Sequence, residues 1–390
     1  MKRLTLILTI AGILCTYPLL ACTSVIVSGK VTSDGRPLMF KHRDTGQLNN
    51  RLERFIGEKF PFVALVNSDW RTSPSSPYGR NGEAWSGMNS TGFCIMNTAT
   101  YDLKDDDVPQ EEMDREGVVM FRALEICATL SDFEVLLDTL SRPMGVEANF
   151  GVIDAFGGAA YYEVNNTTWT KFDVNDPKVA PKGYRVVTNF TQTGRPQDRK
   201  GVDRYEKASG IMENVFSSVR IQEGRVLSKV DLNHADLIRM ISRSGSPILR
   251  DITSAVAVFE GVKPGDNPRY SIMWTLLGYP TAAVCMPVLV LEGDHIPSVL
   301  KGKGNEGNAP MCSNALIVKG KMTSQSPTLS QSRVVSTCEE VEGLMDRRFY
   351  SIFKRWKEGS LSDQKFCSMY DSSCNKITSV YQKKFEGYLR

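Results

Sequence analysis

The sequence predicts an α+β protein with four layers, in which two mainly antiparallel sheets stack face to face and helices cover their outer faces. Three observations support this prediction. Groups of short β-rich runs joined by turn residues indicate antiparallel strands. Blocks with helical apolar spacing separate these groups, and a helical stretch ends the chain. The chain has 390 residues, which is long enough for a single large sandwich with its own core.

The first predicted strands form a hairpin that starts at Cys22. Residues 23–28 are rich in β-branched side chains, Ser33-Asp34-Gly35 is a turn signal, and residues 38–42 form the second strand. Further strands are predicted over residues 93–96, 150–153, 160–164, 184–190, 254–259, 271–277 and 283–291.

Helices are predicted over residues 116–140, 203–217 and 233–242. Residues 301–332 are rich in Gly, Ser, Pro and Lys, so we expect a loop there. Ser336 and Glu339 have the spacing of a capping box that opens a helix through about residue 357, and another helix fills much of 362–389. The predicted organisation is a leader over 1–21, one domain over 22–300, and a loop and helical C-terminal extension over 301–390.

The leader has the layout of a secretory signal peptide. Lys2 and Arg3 precede an apolar run over residues 4–14, and Pro18 and the small residue Ala21 follow. The run is shorter than the roughly 20 residues of a membrane span, and no second candidate span occurs later. We therefore expect an exported protein, periplasmic or secreted, with no transmembrane segment after signal removal. An uncleaved membrane anchor is the alternative.

Charge and histidine content exclude several classes of function. The formal net charge is +3, and loss of Lys2 and Arg3 with the leader would leave about +1 without any long basic run, so we expect no nucleic-acid partner. The chain has three histidines and no C-x-x-C motif, which leaves little material for a metal site or a Cys-His pair. We expect no metal and no organic cofactor.

The cysteines fall into two groups beyond the leader and Cys22. Cys94, Cys127 and Cys285 lie in apolar runs and are predicted to be small buried residues. The last quarter of the chain holds a cluster that could form up to two disulfides in an oxidising compartment, with the pairing left open: Cys312, Cys338, Cys367 and Cys374.

Cys22 would become the first residue if the leader were cleaved after Ala21. One residue would then carry both a thiol and a free α-amine, whose ordinary pKa values of about 8.5 and 8 are close. The amine could serve as the local base for the thiol. Such a nucleophile needs no histidine, which suits this sequence.

Several segments, taken in order, resemble N-terminal-nucleophile hydrolases. They are Cys22-Thr-Ser-Val-Ile-Val-Ser-Gly, Lys41-His-Arg-Asp44, Gly87-Met-Asn-Ser-Thr-Gly-Phe-Cys-Ile-Met-Asn97, Asn149-Phe-Gly-Val-Ile-Asp154 and Val187-Thr-Asn189-Phe with Asp203-Arg204-Tyr205 downstream. The closest subgroup is the peptidase C45 family, which includes acyl-coenzyme A:6-aminopenicillanic acid acyltransferase. The chain is also similar to choloylglycine hydrolases, penicillin V acylases and acid ceramidase-like amidases, over roughly residues 22–290.

The resemblance implies a role for each matching residue. Cys22 would be the nucleophile with its amine as base, and Asp44 would orient that amine and stabilise its protonated form. Asn189 would donate to the oxyanion, and Asn97 falls where a second oxyanion or substrate contact is expected. Lys41 stands where related hydrolases usually have arginine; it keeps the positive charge that favours a thiolate but lacks the two-pronged donor.

Other residues and functions remain open at this stage. Arg204 is a candidate substrate contact or a surface ion-pair residue, Arg43 could share a strand face with Lys41, and His42 is expected to be a half-buried strand residue. The implied reaction cleaves a linear N-acyl amide through a thioester, completed by water or by another amine. A cysteine dipeptidase is the runner-up. A ligand-binding lipoprotein, lipidated at Cys22 in the box Leu19-Leu-Ala-Cys22, is the non-catalytic alternative. A homo-oligomer is left open.

Overall fold

A computed structural model describes residues 21–69, 82–222, 225–302, 307–323 and 329–389. The predicted signal peptide, apart from Ala21, lies outside these described residues. Of the helices described, none combines the length and the apolar composition needed to cross a membrane.

Fifteen strands and seven α-helices are described. The strands are β1 Ala21–Val27, β2 Leu38–Asp44, β3 Asn50–Phe55, β4 Phe62–Asn67, β5 Ser86–Asn89, β6 Cys94–Ala99, β7 Ala148–Ile153, β8 Ala159–Val164, β9 Trp169–Asp173, β10 Tyr184–Val187, β11 Ile221–Gln222, β12 Arg225–Val226, β13 Thr253–Glu260, β14 Ile272–Leu277 and β15 Met286–Val288. The helices are α1 Glu116–Ile126, α2 Leu130–Thr139, α3 Val202–Val215, α4 His234–Leu237, α5 Pro310–Thr323, α6 Gln331–Lys357 and α7 Asp363–Leu389.

The strands form two large antiparallel sheets. The first sheet has the order β10-β1-β2-β13-β14-β15, and the second runs β3-β4-β5-β6-β7-β8-β9, while β11 and β12 form a small separate hairpin. The predicted hairpin from Cys22 is therefore β1 and β2, at the centre of the first sheet. Its β-branched residues Val25, Ile26 and Val27 are all buried, as strands with both faces covered require.

The two sheets pack face to face over one apolar core. Ile26 and Met39 of the first sheet share this core with Leu65 and Met96 of the second. Tyr161 of β8 reaches across and donates a hydrogen bond of 3.0 Å to the Ser24 hydroxyl of β1. The stacked sheets predicted from the sequence are confirmed.

Helices α1 and α2 cover the outer face of the second sheet, where Phe133 packs edge-on against Phe150 and Tyr162. The single helix predicted over residues 116–140 is wrong. Helix α1 ends at Ile126, and Thr129 is the N-cap of α2. The Thr129 hydroxyl accepts a hydrogen bond from the Asp132 backbone N–H, and the Asp132 carboxylate accepts one from the Thr129 backbone N–H.

The outer face of the first sheet is covered by helices that include the C-terminal pair. Trp274 of β14 contacts His234 at the start of α4 and Phe349 of α6, with ring centroids 3.5 and 5.3 Å apart respectively. The four layers are thus complete, and α6 and α7 supply part of the fourth layer. The Ser336 capping box is a wrong prediction, because α6 begins one turn and a half earlier, with Ser330 as its N-cap.

Two further predictions for the C-terminal region need correction. The predicted loop over 301–332 contains helix α5, whose Cys312 and Ala315 are fully buried. The predicted disulfides are absent, since every cysteine in the described part of the chain is a free thiol. Instead, the Cys312 thiol donates to the Leu48 carbonyl oxygen at 3.1 Å. Cys94, Cys127 and Cys285 are buried, as predicted.

Candidate active site

The register of β1 and β2 determines which side chains surround Cys22. Cys22 lies directly opposite Arg43, and Ser24 lies opposite Lys41. Directly opposed residues of antiparallel strands share a face, so these four side chains lie on the face of the first sheet that meets the second. Alternation places Asp44 on the opposite face of β2. Cys22 itself is buried, with 6% of its surface exposed.

Two buried cations lie on the Cys22 side of the hairpin. The Lys41 ammonium donates to Asn97 Oδ1 at 2.8 Å and to the Trp85 carbonyl oxygen. Complete burial lowers the pKa of Lys41 to about 7; the Cys22 thiolate opposes this change and Arg43 adds to it. Lys41 is therefore a charge that can be lost near neutral pH.

Arg43 is the second of these cations. Its guanidinium donates to Asn50 and, at 2.9 Å, to Asn67 Oδ1, and it lies 5.2 Å from the centre of the Trp85 ring. Burial lowers its pKa only to about 10, with Cys22 opposing the change, so Arg43 stays charged at neutral pH. A permanent positive charge thus lies directly across the strand pair from Cys22.

The backbone nitrogen of Cys22 is held by Asn189, just beyond β10. It donates to Asn189 Oδ1 at 2.8 Å. The same oxygen accepts from Arg204 Nη2 at 2.7 Å, and Asn189 Nδ2 donates to the Ala99 carbonyl oxygen at 2.7 Å. Because two donors meet Oδ1 and an acceptor meets Nδ2, the orientation of this amide is fixed, with its oxygen toward Cys22.

Asn97 has the opposite arrangement. Its Oδ1 accepts from Lys41, so that its Nδ2 is left as the available end of the amide. Among the described residues Nδ2 has no hydrogen-bond partner, although Asn97 is 5% exposed. Asn97 Nδ2 thus has both of its N–H groups available among the described residues, whereas Asn189 Nδ2 gives one N–H group to Ala99 and keeps the other.

Asp44 lies opposite Ala21 across the strand pair. Its Oδ1 accepts from the Thr253 hydroxyl at 2.7 Å and lies 3.3 Å from His42 Nε2. Its Oδ2 is fully buried and has no hydrogen bond within the described residues, with Arg250 Nη1 the nearest cation at 3.6 Å. Burying a carboxylate oxygen without a hydrogen-bond donor costs free energy.

Arg204 lies behind Cys22 on the first turn of α3. Besides Asn189, its guanidinium donates to the Cys22 carbonyl oxygen, and only 4% of its surface is exposed. The expectation of a surface position is wrong. Burial lowers its pKa, while Asp44 and Cys22 act against this. The expectation of a half-buried His42 is also wrong: its ring is fully buried between Ser242 and Thr253, at 3.1 Å from each hydroxyl.

The sequence pointed only weakly to Arg43, through strand alternation, and gave no signal for Arg250. A cavity of about 350 Å³ borders this site, and its lining includes Ala21, Tyr101, Asn189, Arg204 and Arg250. A larger cavity of about 660 Å³ lies between β10 and α3 and contains none of the predicted site residues. We therefore associate the smaller cavity with Cys22.

None of the known family models matches the chain, and no curated protein has a significantly similar sequence. Solved structures do share its chain path. An N-acylethanolamine-hydrolyzing acid amidase ortholog of Caenorhabditis elegans is 13% identical, with a TM-score of 0.45 over 63% of this chain and 93% of its own. A mutant conjugated bile acid hydrolase of Clostridium perfringens is 9% identical, with a TM-score of 0.43 over 74% and 94%.

A third similar structure is penicillin V acylase of Agrobacterium tumefaciens, 11% identical, with a TM-score of 0.41 over 69% of this chain and 86% of its own. Similarity at this level describes the path of the chain, and the chemistry of the site follows from its own geometry.

Proposed function

We propose that this chain is an exported cysteine amidohydrolase whose nucleophile is Cys22, exposed as the N-terminal residue by removal of residues 1–21. Its substrates would be small linear N-acyl amides. The reaction proceeds through a thioester between the acyl group and Cys22. The catalytic domain spans residues 22–300 together with the C-terminal helices that complete its fourth layer.

One observation carries this proposal: the Cys22 nitrogen lies 2.8 Å from Asn189 Oδ1, while the buried Asp44 Oδ2 beside the preceding residue lacks a donor. Ala21 is the cross-strand partner of Asp44. Loss of Ala21 would turn the Cys22 amide into an amine next to a carboxylate with one oxygen unfilled. An α-ammonium is the donor that this oxygen lacks.

The steps follow from these positions. The amine takes the thiol proton, and the sulfur forms a bond to the carbonyl carbon of the amide. Asn97 Nδ2 donates to the oxygen that becomes negative, and Lys41 holds Asn97 in that orientation. The ammonium, held by Asp44 and Asn189, returns its proton to the leaving nitrogen as the carbon–nitrogen bond breaks. Water then hydrolyses the thioester to a carboxylic acid, or an amine completes an acyl transfer.

Burial of Cys22 weighs against the lipoprotein alternative. A lipidated cysteine needs a free path to the membrane, whereas Cys22 lies inside β1 with its side chain between the two sheets. No comparable observation of the described residues favours the dipeptidase over the amidase. Export of the protein is proposed from the leader alone.

The intact mass of the mature protein tests the proposal, before and after treatment with an activated ester that acylates thiols. We expect a mass that lacks residues 1–21 and a single acyl group on Cys22 that hydroxylamine removes. Because Cys367 is only partly buried, the measurement is made in a Cys367→Ser background, in which a further Cys22→Ser change should abolish the labelling. A diacylglycerol on Cys22, or acylation elsewhere but not on Cys22, would contradict the proposal.

A further inference from the structure

Strand β10 forms an open edge of the first sheet. It is the terminal strand in the order of this sheet, with β1 as its neighbour. The Ser28 N–H donates to the Gly183 carbonyl oxygen at 2.8 Å. From this bond, the alternation of an antiparallel ladder assigns the hydrogen bonds with β1 to Arg185 and Val187. The backbone N–H and C=O of Val186 therefore point away from β1, and no hydrogen bond reaches them within the described part of the chain.

The cavity of about 660 Å³ between β10 and α3, here called the β10 cavity, follows this open edge. All four residues of β10 line it, and α3 forms a facing wall with Tyr205, Ser209, Gly210 and Glu213. A Cβ at Gly210 would meet no atom within 4 Å, so this part of the wall borders open space. The volume lies in the range of ligand pockets, roughly 300–1,000 Å³. The unpaired edge of the sheet thus borders a cavity that has room for a ligand.

Arg185 contributes a positive charge to the lining of the β10 cavity. Its guanidinium carbon lies 4.6 Å from the centre of the Phe172 ring on β9. Its Nε is buried, and among the described residues it has no hydrogen-bond partner. Burial lowers the pKa of Arg185, and the charge of Glu163 opposes this change. The guanidinium is therefore partly removed from water without a hydrogen bond to compensate at Nε.

The two acidic residues that line the β10 cavity already bind other donors. The Glu163 carboxylate accepts hydrogen bonds from the backbone N–H groups of Gln192 and Thr193, at 2.7 and 3.0 Å. The Glu213 carboxylate accepts from the Tyr184 hydroxyl at 3.1 Å and from the Lys182 ammonium. Neither acid forms an ion pair with Arg185 in the described structure. The cavity thus offers a cation to a carboxylate that comes from elsewhere.

A strand added to β10 would use the open edge and the charge together. Its backbone could donate to the Val186 carbonyl oxygen and accept from the Val186 N–H. The residue opposite Arg185 would share the face of Arg185, where an acidic side chain could reach the guanidinium. The residue opposite Val186 would point to the other face, on which Tyr184 contacts Phe216 just after α3. The site therefore fits an extended segment in which an acidic residue has apolar neighbours.

We propose that the β10 cavity binds an extended acidic peptide, which adds a strand to the first sheet and pairs a carboxylate side chain with Arg185. The peptide comes from outside this chain. Residues 1–20 contain neither Asp nor Glu, and a second copy of β10 would bring a second Arg185 instead of an acid. The cavity lining does not include Cys22, so this inference is independent of the amidase proposal. The backbone pairing supplies affinity for extended peptides, and Arg185 selects those with an acidic residue.

The experiment measures binding of a labelled peptide to the unchanged protein by fluorescence anisotropy. The probe is fluorescein-labelled Thr-Val-Glu-Val-Thr amide. A second peptide has lysine in place of glutamate, and a third is N-methylated at its three central residues, so that it cannot donate to β10. Because these changes are made in the peptide, the comparison does not depend on the folding of a variant protein.

We expect the glutamate peptide to bind about tenfold or more tightly than either of the other two peptides. Arg185→Gln should weaken its binding by a similar factor and remove the preference over the lysine peptide. Arg239→Gln is the matched control, because Arg239 is exposed and pairs with Asp236. It should leave the affinity unchanged.

A second pair of variants tests the place of binding. Gly210→Leu should weaken binding of the glutamate peptide by about tenfold or more, because the new side chain would occupy space that the peptide needs. Gly343→Leu is its control, since Gly343 lies on α6, which packs against β14 rather than β10. It should bind the peptide as the unchanged protein does.

Failure of the glutamate peptide to bind, equal affinities for the glutamate and lysine peptides, or full affinity after N-methylation would overturn the inference. Displacement of the peptide by an equal concentration of acetate would also overturn it, because the site would then recognise a lone carboxylate. A stable dimer in light scattering that excludes the peptide would show that a second copy occupies the edge, and would contradict the proposal. None of these results bears on the activity of Cys22.

Discussion

Two buried polar clusters lie at opposite ends of strands β2 and β13, and they differ in how completely their hydrogen bonds are made. The Cys22 cluster consists of Cys22, Lys41, Arg43, Asp44, Asn97, Asn189 and Arg204. The Glu260 cluster consists of Arg36, His234, Glu260, Asp346 and Tyr350. Both are built from charges that would be costly to bury alone.

In the Glu260 cluster every oxygen and ring nitrogen at the centre has a partner. Glu260 accepts from Arg36 at 2.9 Å and from the Tyr350 hydroxyl, and it lies 3.1 Å from His234 Nδ1. His234 Nε2 lies 3.3 Å from Asp346 on α6. Burial alone would lower the pKa of His234, but hydrogen bonds to Asp346 and Glu260 raise it to about 9.

Within the described part of the chain, the Cys22 cluster includes polar atoms without a hydrogen-bond partner, among them Asp44 Oδ2 and Asn97 Nδ2. The complete hydrogen-bond network of the Glu260 cluster holds helices α4 and α6 against the first sheet. The incomplete network of the Cys22 cluster has polar atoms that can bind groups formed during a reaction. The comparison suggests that vacant hydrogen-bonding positions, rather than buried charge itself, distinguish a reactive site from a structural one.

The largest effect is expected at the nucleophile. Cys22→Ala should lower amide hydrolysis on the order of 10⁴-fold or more, because loss of a nucleophile removes the acyl-enzyme route. Cys127→Ala is the matched control, since this buried thiol ends α1 on the far side of the second sheet. The measurement is the steady-state kcat of both variants. Comparable losses of kcat in the two would contradict a catalytic role for Cys22.

Asn97 tests the spare donor. Asn97→Ala should lower kcat by about 100-fold with little change in KM, since an oxyanion donor acts on the transition state. Asn97→Asp is the sharper variant, because a carboxylate can still accept from Lys41 but has no N–H group to donate. If Asn97→Asp retained full kcat, the spare donor would have no catalytic part.

Lys41 is expected to give a smaller, pH-dependent effect. Its pKa of about 7 means that it is charged below pH 7 and loses its proton as the pH rises, so kcat should fall by up to about tenfold per pH unit above 7. Lys41→Arg should remove this alkaline decline, because arginine stays charged. Rate profiles from pH 5 to 9 make the comparison, and identical alkaline limbs in the two proteins would exclude Lys41 as its origin.

The Glu260 cluster should affect stability and leave turnover per folded molecule unchanged. Glu260→Gln should lower the free energy of unfolding by about 3 kcal/mol, because it leaves buried cations unbalanced. Glu340→Gln, which breaks the exposed pair with Lys384, should cost about 0.5 kcal/mol or less. Chemical denaturation measures both, and equal losses would show that burial of the Glu260 pair is immaterial.

The same cluster predicts how stability varies with pH. A raised pKa in the folded state means that His234 contributes its full stabilisation below pH 6.5 and loses it as the pH rises through about 9. The free energy of unfolding should therefore fall over this interval, with a flatter profile in Glu260→Gln. A rise over the same interval in the unchanged protein would contradict this assignment.

The sequence predicted the local parts of this site better than the long-range ones. Strand β1, its turn and Cys22 follow from β-branched residues and a turn signal within a short segment. The cross-strand pairing of Cys22 with Arg43 depends on the register of β1 and β2, which the sequence of the hairpin restricts but does not determine. The amide of Asn189 is oriented by Cys22 and Arg204, and the first of these partners is 167 positions away in the chain.

The predicted loop over 301–332 and the predicted C-terminal disulfides were both wrong because they were inferred from local sequence, which does not include tertiary packing. Helix α5 lies in a segment rich in turn residues and owes its existence to burial of Cys312 and Ala315, which local propensity does not include. The four C-terminal cysteines were expected to pair because they cluster in sequence. The structure spreads them over α5, α6 and α7, where Cys312, Cys338 and Cys374 pack as buried thiols.

The most direct test of the central claim compares protein that begins at Cys22 with protein that retains Ala21. An additional residue converts the amine into an amide, which cannot accept the thiol proton, and it occupies the place beside Asp44. We predict amidase activity from the first protein and a loss on the order of 10³-fold or more from the second, with closely similar unfolding midpoints. Equal activity from both proteins would contradict the account.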